Sequence, residues 1–128
     1  MEKLIYLYNF NNKRIKEMKQ EYLYNLAQIY EFEDNFYEAE FFFKKAIEEG
    51  VKEACNQLGI LYLKRKEKKK AKRVFQQGEE MLDLHSIINL AILAEEENKN
   101  DQAIKLYQKA YDHGYRSKLI KQKIGVGE

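Results

Sequence analysis

Small and aromatic residues recur along the chain with a period of 32 positions. The three sets are Leu26, Ala27, Tyr30, Ala39, Phe43, Ala46; then Leu58, Gly59, Tyr62, Ala71, Phe75, Gly78; then Leu90, Ala91, Ala94, Ala103, Tyr107, Ala110. Self-similarity with a period of roughly 20–50 residues is typical of solenoids, in which each unit buries its apolar face only against its neighbours. The pattern therefore predicts a stack of three helical units.

Each set divides into two helical stripes. The first three members have the spacing i, i+1, i+4, and the last three have the spacing i, i+4, i+7, so each trio occupies one side of its own helix. Asp34-Asn35 lies between the two stripes of the first unit and is a turn signal. Gly50 and Gly114 follow the second stripes, where a left-handed residue ends a helix. Each unit is predicted to be helix–turn–helix.

The second unit has a weaker turn signal. Residues 64–70 contain no Gly, Asn or Asp, and local propensity alone allows one helix from about 53 to 80. Ala71, Phe75 and Gly78 nevertheless keep the 32-residue phase, which they can do only if a turn returns them to the first helix. We therefore predict a turn there, although Leu82 stands where the other units have glycine.

Composition favours a soluble helical protein of the cytoplasm. The 128 residues include no proline and 6 glycines, 34% are charged, and the formal charge is only +2. Cys55 is the only cysteine, so no internal disulfide forms, as in a reducing compartment. No apolar run approaches the roughly 20 residues of a membrane span, and residues 1–8 are too short and polar for a secretory signal.

Residues 20–115 resemble the tetratricopeptide repeat superfamily. The motif Leu58-Gly59-x-x-Tyr62 followed by Ala71 and Phe75 is similar to the tetratricopeptide pattern. The linker at residues 50–59 and the paired bulky residues at 42–43, 74–75 and 106–107 look more like the Sel1-like subfamily. The period is 32 where the tetratricopeptide repeat has about 34, and no proline follows the second helix, so the subfamily stays open.

The resemblance implies an all-α fold, a right-handed α-solenoid of antiparallel helix pairs. We expect a single helical repeat domain over residues 1–128, with repeats at 20–51, 52–83 and 84–115. Residues 1–19 would cap the array: residues 2–8 would fold back as a short extra helix, and the first long helix would start at Asn11 or Asn12. Leu119, Ile120 and Ile124 among basic residues predict a C-terminal capping helix over 116–128, with frayed residues 125–128.

The family's function implies a non-catalytic protein–protein interaction module whose concave groove is lined by first helices. A peptide or partner helix is the expected ligand, and no cofactor or metal is expected. Carried over by phase, the groove residues are Tyr24, Asn25, Gln28, Phe32, Asn56, Ile60, Leu63, Ile88, Asn89, Ile92 and Glu95. For Asn25, Gln57 and Asn89 a structural role, hydrogen bonding between helices, is the favoured interpretation.

A basic stretch at residues 64–73 holds eight Lys or Arg residues in ten. It offers an alternative function, binding of nucleic acid or an anionic surface. No aromatic residue is interleaved for base stacking, so a solvated inter-helix turn is the favoured interpretation and nucleic acid the less favoured partner. The candidate residues are Lys64, Arg65, Lys68, Lys69, Lys72 and Arg73.

Four further features have simple structural explanations as well as functional ones. Phe41 falls outside the core phases and is an isolated exposed aromatic or a self-association contact, and self-association through the array ends is a third hypothesis. Glu95-Glu96-Glu97 is typical of a solvated helix end. His85 and His113 lie 28 residues apart without ligand-spaced partners. Cys55 lies in a core phase, and no glycine-rich phosphate loop is present, so together with the unpartnered histidines the sequence leads us to expect no enzyme.

Overall fold

The computed structural model is described here for residues 2–126, and for the backbone alone at residues 4–10. Over this range it contains helices and no strand, which confirms the all-α prediction. The helices are α1 (Glu2–Phe32), α2 (Phe36–Glu48), α3 (Glu53–Lys64), α4 (Lys68–Glu80), α5 (Leu84–Glu96), α6 (Asn100–Asp112) and α7 (Lys118–Ile124). They form two compact units, residues 1–54 and 55–128. The single-domain organisation and the superhelical handedness stay predictions.

The first unit is built on the α1–α2 pair. Ala27 and Ala39 are fully buried, and the absence of larger side chains lets the two helices approach closely. Tyr30 stacks on Phe42 with ring centroids 5.6 Å apart, and Phe43 is fully buried. The predicted small–aromatic–small stripes are therefore the packing surface of this pair.

The second unit stacks α3 to α7 through the same kinds of contact. Gly59 of α3 faces Phe75 of α4, and a Cβ on the glycine would lie 2.7 Å from Phe75 Cδ1. Gly78 of α4 lies against Ser86 of α5 in the same way. We call the members of the three 32-residue sets the column residues. Those of the second and third sets, Tyr107 of α6 among them, are all buried in this unit.

The 32-residue period reappears in the backbone as two left-handed residues per repeat. The inter-helix turns hold Asp34, Lys66 and Asn98 at φ values of 59°, 59° and 61°. The turn predicted inside the basic stretch is thus confirmed, although Lys66 carries no turn signal. The junctions after the second helices hold Gly50, Leu82 and Gly114 at φ values of 94°, 58° and 109°.

The predicted start of the first helix is wrong. α1 runs without interruption from Glu2 to Phe32, so residues 2–8 are not a separate helix and Asn11 and Asn12 are not caps. Helix-forming side chains continue through this segment, and an asparagine inside a helix costs only a few tenths of a kcal/mol, too little to end it. Residues 11–19 of this extension are all exposed.

The predicted C-terminal helix is present and shorter than expected. Ser117 caps α7 by accepting a hydrogen bond from the Ile120 backbone N–H at 3.1 Å. Ile120 is buried and Ile124 half-buried, whereas Leu119 is exposed. Gly125 is the left-handed C-cap, and residues 127 and 128, which were expected to fray, lie outside the described residues.

Leu82 provides a stability test, because it adopts a conformation that its Cβ disfavours. We expect Leu82→Gly to be more stable than Leu82→Ala by about 1 kcal/mol, since the left-handed conformation costs a non-glycine residue about 1–2 kcal/mol and glycine's extra freedom in the unfolded chain returns only part of that. Urea unfolding of both variants measures the difference.

The matched control is Gln76, an exposed position inside α4. There the order should reverse, with Gln76→Ala more stable than Gln76→Gly by about 1 kcal/mol, as helix propensity requires. Alanine equal to or better than glycine at position 82 would contradict the assignment of strain to Leu82.

Candidate interaction surface

A pair of asparagines joins the two first helices of the second unit. Asn89 Nδ2 of α5 donates a hydrogen bond to Asn56 Oδ1 of α3 at 2.5 Å, and both side chains are half-buried. The predicted inter-helix role is confirmed for Asn89, and its partner is Asn56. The pair fixes the register of α3 against α5.

Four predicted groove residues form an apolar strip beside this pair. Ile60 and Leu63 continue the Asn56 face of α3 at helical spacing, and Ile88 and Ile92 are one turn apart on α5. Ile60, Leu63 and Ile88 are half-buried, and Ile92 is 42% exposed. We call these four residues the apolar strip. Such a surface retains area for a partner, unlike the fully buried column residues.

The groove residues predicted on α1 lie in the first unit and differ from one another. Tyr24 is half-buried with its ring edge towards Phe43 at a centroid distance of 6.3 Å, so it belongs in part to the α1–α2 core. Asn25 and Gln28 are exposed. Phe32 is 90% exposed at the C-terminal end of the helix. Their binding role stays a prediction.

A shallow acidic hollow also lies in the first unit. Glu17, Glu21 and Glu53 line it together with Tyr24. Glu49, next to the lining residue Gly50, is bound to α1: its carboxylate pairs with Lys19 at 2.9 Å, and its carbonyl accepts a hydrogen bond from Gln20 at 2.6 Å. The hydrogen bond from Lys19 holds the pKa of Glu49 below its usual value.

Glu95, also predicted in the groove, is held by contacts within the second unit. The Tyr107 hydroxyl donates to Glu95 Oε1, and Lys123 Nζ lies 2.7 Å from Glu95 Oε2. The hydrogen bonds from Lys123 and then Tyr107 lower the pKa of Glu95. Burial, followed by the bond to Glu95, raises the pKa of Tyr107. Glu95 therefore ties α5 to α6 and α7, and we leave it out of the surface proposed below.

The basic stretch meets a cluster of carboxylates in the folded chain. Glu97, the C-cap of α5, lies 3.3 Å from Lys72 Nζ and 3.2 Å from Lys99 Nζ. Lys68 lies 3.8 Å from Glu97 and 3.9 Å from Glu96. The acidic run is thus ion-paired and not simply a solvated helix end. We call Lys68, Lys72, Glu96, Glu97 and Lys99 the Glu97 cluster. Hydrogen bonds from Lys99 and then Lys72 lower the pKa of Glu97.

A second acid neutralises the turn itself. Glu67 lies 3.8 Å from Arg65 Nε and 3.6 Å from Lys70 Nζ. Lys64, Lys66, Lys69 and Arg73 are exposed. Half of the basic residues at 64–73 already have carboxylate partners. The stretch therefore attracts an external anion less strongly than its sequence suggests. Binding of nucleic acid through it stays a prediction.

The remaining candidate residues have local partners. Phe41 is 53% exposed, with its ring 5.1 Å from Phe42 and 5.6 Å from Lys45 Nζ. Cys55 is fully buried, and its Sγ lies 3.8 Å from Met81 Sδ. His85 lies edge-on to Tyr115 at 5.6 Å.

Residues 2–126 contain neither a metal-binding cluster nor a helix that could cross a membrane. No three His, Cys, Asp or Glu side chains of residues 2–126 gather as a metal ion would need. Within the same range, every helix is too short or too polar to cross a bilayer.

Comparison with known proteins covers most of the chain. One family model described as tetratricopeptide repeat matches residues 20–49 and 52–81, and a second of the same description matches residues 86–118. No curated protein matches the sequence. The matched segments contain the three helix pairs α1–α2, α3–α4 and α5–α6, apart from the N-terminal extension of α1 and a few residues at segment ends.

The Glu97 cluster predicts an acid-dependent contribution to stability. The folded-state pKa of Glu97 lies below its ordinary value of 4.5, so its stabilisation is complete above that value and is lost as the pH falls through the folded pKa. We expect Glu97→Gln to lower the urea midpoint at pH 7 and to have no effect once Glu97 is protonated in the wild type.

Glu96→Gln is the matched control, because Glu96 has one long contact to Lys68 at 3.9 Å. Its effect on the urea midpoint should be smaller at pH 7. Equal effects of the two substitutions, or an effect of Glu97→Gln that persists at low pH, would contradict the assigned role of Glu97.

Proposed function

Since the chain belongs to the tetratricopeptide repeat family, we propose that it is a non-catalytic protein-interaction module whose apolar strip binds an amphipathic helix of a partner protein. Repeats of this family are generally protein-interaction modules. The observation that carries the proposal is the apolar strip itself: Ile60, Leu63, Ile88 and Ile92 keep exposed area at phases that the helix-pair cores do not need.

The geometry of the strip suits a helix rather than an extended strand. α3 and α5 lie side by side and are joined by the Asn56–Asn89 hydrogen bond, so the strip lies along two neighbouring helices. An amphipathic helix presents apolar side chains at i, i+3, i+4 and i+7, which match two rows of that kind. The asparagine pair would border the apolar contact with polar groups, as in the rims of protein interfaces.

Charge around the strip favours a partner with a basic flank. Glu96 follows Ile92 by one helical turn and is exposed, and its contact with Lys68 is long at 3.9 Å. Complementary charge sets the orientation and the association rate of a docked helix more than its affinity.

A cytoplasmic location accompanies this proposal. Cys55 is the only cysteine in the sequence, and it is buried as a small core residue. A fold without disulfides suits a reducing compartment.

Affinity selection tests the proposal. Peptides selected from a displayed library of amphipathic helices against the whole protein would be measured by fluorescence anisotropy. We expect Ile60→Lys combined with Ile92→Lys to weaken binding at least about tenfold, or about 1.4 kcal/mol, because each lysine places a charge in the apolar contact.

The matched control is Ile104→Lys combined with Leu119→Lys. These residues are 46% and 59% exposed on α6 and α7, and the change in net charge is the same. The control should bind as the wild type does, and circular dichroism should show both variants folded. A library that yields no ligand, or equal affinity of the strip variant and the control, would refute the proposal.

A further inference from the structure

The Asn56–Asn89 hydrogen bond uses only part of the bonding capacity of the two side-chain amides. Each amide has one carbonyl oxygen and one NH2 group, and the bond occupies one of these groups on each side chain. Within the described part of the chain, Asn56 Nδ2 and Asn89 Oδ1 have no further hydrogen-bond partner. Exchanging O and N in both side chains leaves the same inventory. The pair therefore retains one donor group and one acceptor group.

A partner that covers the apolar strip also covers this pair. Asn56 precedes Ile60 by one helical turn, and Asn89 precedes Ile92 by 3 residues, so each amide lies beside an isoleucine of the strip. Both asparagines are half-buried before any partner binds. A bound partner removes solvent from the unused donor and acceptor, and a buried polar group without a hydrogen bond weakens the complex. The partner must therefore supply hydrogen bonds at this point.

The backbone of a helical partner cannot supply these hydrogen bonds. Between its first and last turns, the N–H and C=O groups of a helix are already bonded to one another. A side chain has to bind the pair instead. Asparagine and glutamine match it, because their carbonyl oxygen can accept from Asn56 Nδ2 while their NH2 group donates to Asn89 Oδ1.

Other polar side chains match the pair less well. A carboxylate has no donor, and a lysine ammonium has no acceptor, so each would leave one amide group of the pair unbonded. A hydroxyl has both functions on one oxygen, whereas a carboxamide divides them between two atoms, as the asparagine pair does. The chemistry of the pair therefore selects a carboxamide.

α3 and α5 run in the same direction across this surface. Near their starts, Cys55 and Ser86 both lie against Gly78 of α4. At the other end, Glu97, the C-cap of α5, pairs with Lys72 in the second turn of α4. α4 itself begins four residues after α3 ends, so the C-terminal ends of α3 and α5 lie on the same side.

Along this common axis the surface changes from polar to apolar. The asparagine pair comes first, Ile60 and Ile92 follow by one turn, and Leu63 follows by two. On α5, the 3 residues from Asn89 to Ile92 correspond to about 4.5 Å along the helix axis. A helix bound along the strip presents matching side chains 3 or 4 residues apart, since these positions share one face.

We propose that the partner helix carries an asparagine or glutamine that binds the Asn56–Asn89 pair, 3 or 4 residues from the apolar side chain that contacts Ile60 and Ile92. This proposal rests on the helix-binding function of the apolar strip. The strip supplies the apolar contact area, and the pair determines which helices bind and in which register, because a shifted or unsuitable helix leaves buried amide groups unbonded.

Substitutions in a selected peptide test the carboxamide on the partner. Helical peptides selected against the whole protein should share an asparagine or glutamine at one position. Changing that residue to leucine should weaken binding to the wild-type protein about tenfold, or about 1.4 kcal/mol, measured by fluorescence anisotropy. Glutamate and lysine at the same position should also weaken it. Selected peptides without the carboxamide, or equal binding of its leucine version, overturn the proposal.

An exchange of specificity tests the asparagine pair. Asn56→Leu combined with Asn89→Leu replaces both amides with apolar side chains of similar size, a change that folded proteins tolerate better than loss of one partner. This variant should bind the leucine peptide more tightly than the carboxamide peptide, the reverse of the wild-type order. A purely structural role of the pair would weaken both peptides alike and leave the order unchanged, and that result overturns the proposal.

The matched control is Gln76→Leu combined with Gln77→Leu. It also converts two amides to leucines, at exposed positions of α4. The control should keep the wild-type preference for the carboxamide peptide, and circular dichroism should show both variants folded. If the asparagine variant does not fold, the peptide substitutions measured on the wild-type protein decide the question.

The same measurements separate this proposal from the function on which it rests. A library that yields no helical ligand refutes both, because the carboxamide contact requires a bound helix. Ligands that lose affinity for Ile60→Lys/Ile92→Lys but show no carboxamide preference support binding at the apolar strip and overturn only the contact with the asparagine pair.

Discussion

The close approach of three helices at Gly78 is the constraint on which the second unit depends. A side chain at this position would collide with Ser86 of α5 and would place its Cβ 3.0 Å from Cys55 Cβ of α3. Such overpacking typically costs about 1–3 kcal/mol. Asp83 completes the contact, because its carboxylate accepts hydrogen bonds from Ser86 N at 3.1 Å and Ser86 Oγ at 2.6 Å and so satisfies both buried groups. The spacing set here brings Asn56 within reach of Asn89, and with it the two halves of the apolar strip.

The 32-residue period predicted the packed positions well, because the residues that recur with this period are those that pack between helices. Ala71, Phe75 and Gly78 are buried as expected. Their positions required a turn at Lys66, although the local sequence there favours helix. The start of α1 could not be predicted in this way. Residues 11–19 pack against no part of the described chain closely enough to become buried, so no periodic column constrains them. Local signals at Asn11 and Asn12 were then the only basis for a boundary, and they are weak.

The charge pattern was harder to interpret because its partners are distant in sequence. Lys72 and Glu97 are 25 residues apart, and Lys109 and Glu79 are 30 apart with Nζ and Oε2 at 3.1 Å. The first pair joins a second helix, α4, to the end of the next first helix, α5, and the other pair joins the second helices of two successive repeats, α4 and α6. A basic run and an acidic run one repeat apart therefore favour mutual pairing, and the repeat geometry makes this recognisable from sequence. Taken one at a time, the basic run indicated a solvated turn or an anion-binding surface, and the acidic run indicated a solvated helix end.

Function in a repeat array is carried by departures from the repeat. The column residues are buried in the second unit and buried or half-buried in the first, and they identify the fold without distinguishing one member of the family from another. At the phase of Tyr22 the later repeats have Ala54 and Ser86, and both are buried. An isolated exposed position on a helix would accept a polar residue as readily as a tyrosine. On α1, however, Tyr22 is one of five large apolar residues that follow one another at intervals of 3, 4, 7 and 3 residues, and all five are exposed: Ile15, Met18, Tyr22, Ile29 and Phe32. A large, exposed residue at this phase therefore distinguishes the first repeat from the two that follow, in which the same phase is small and buried.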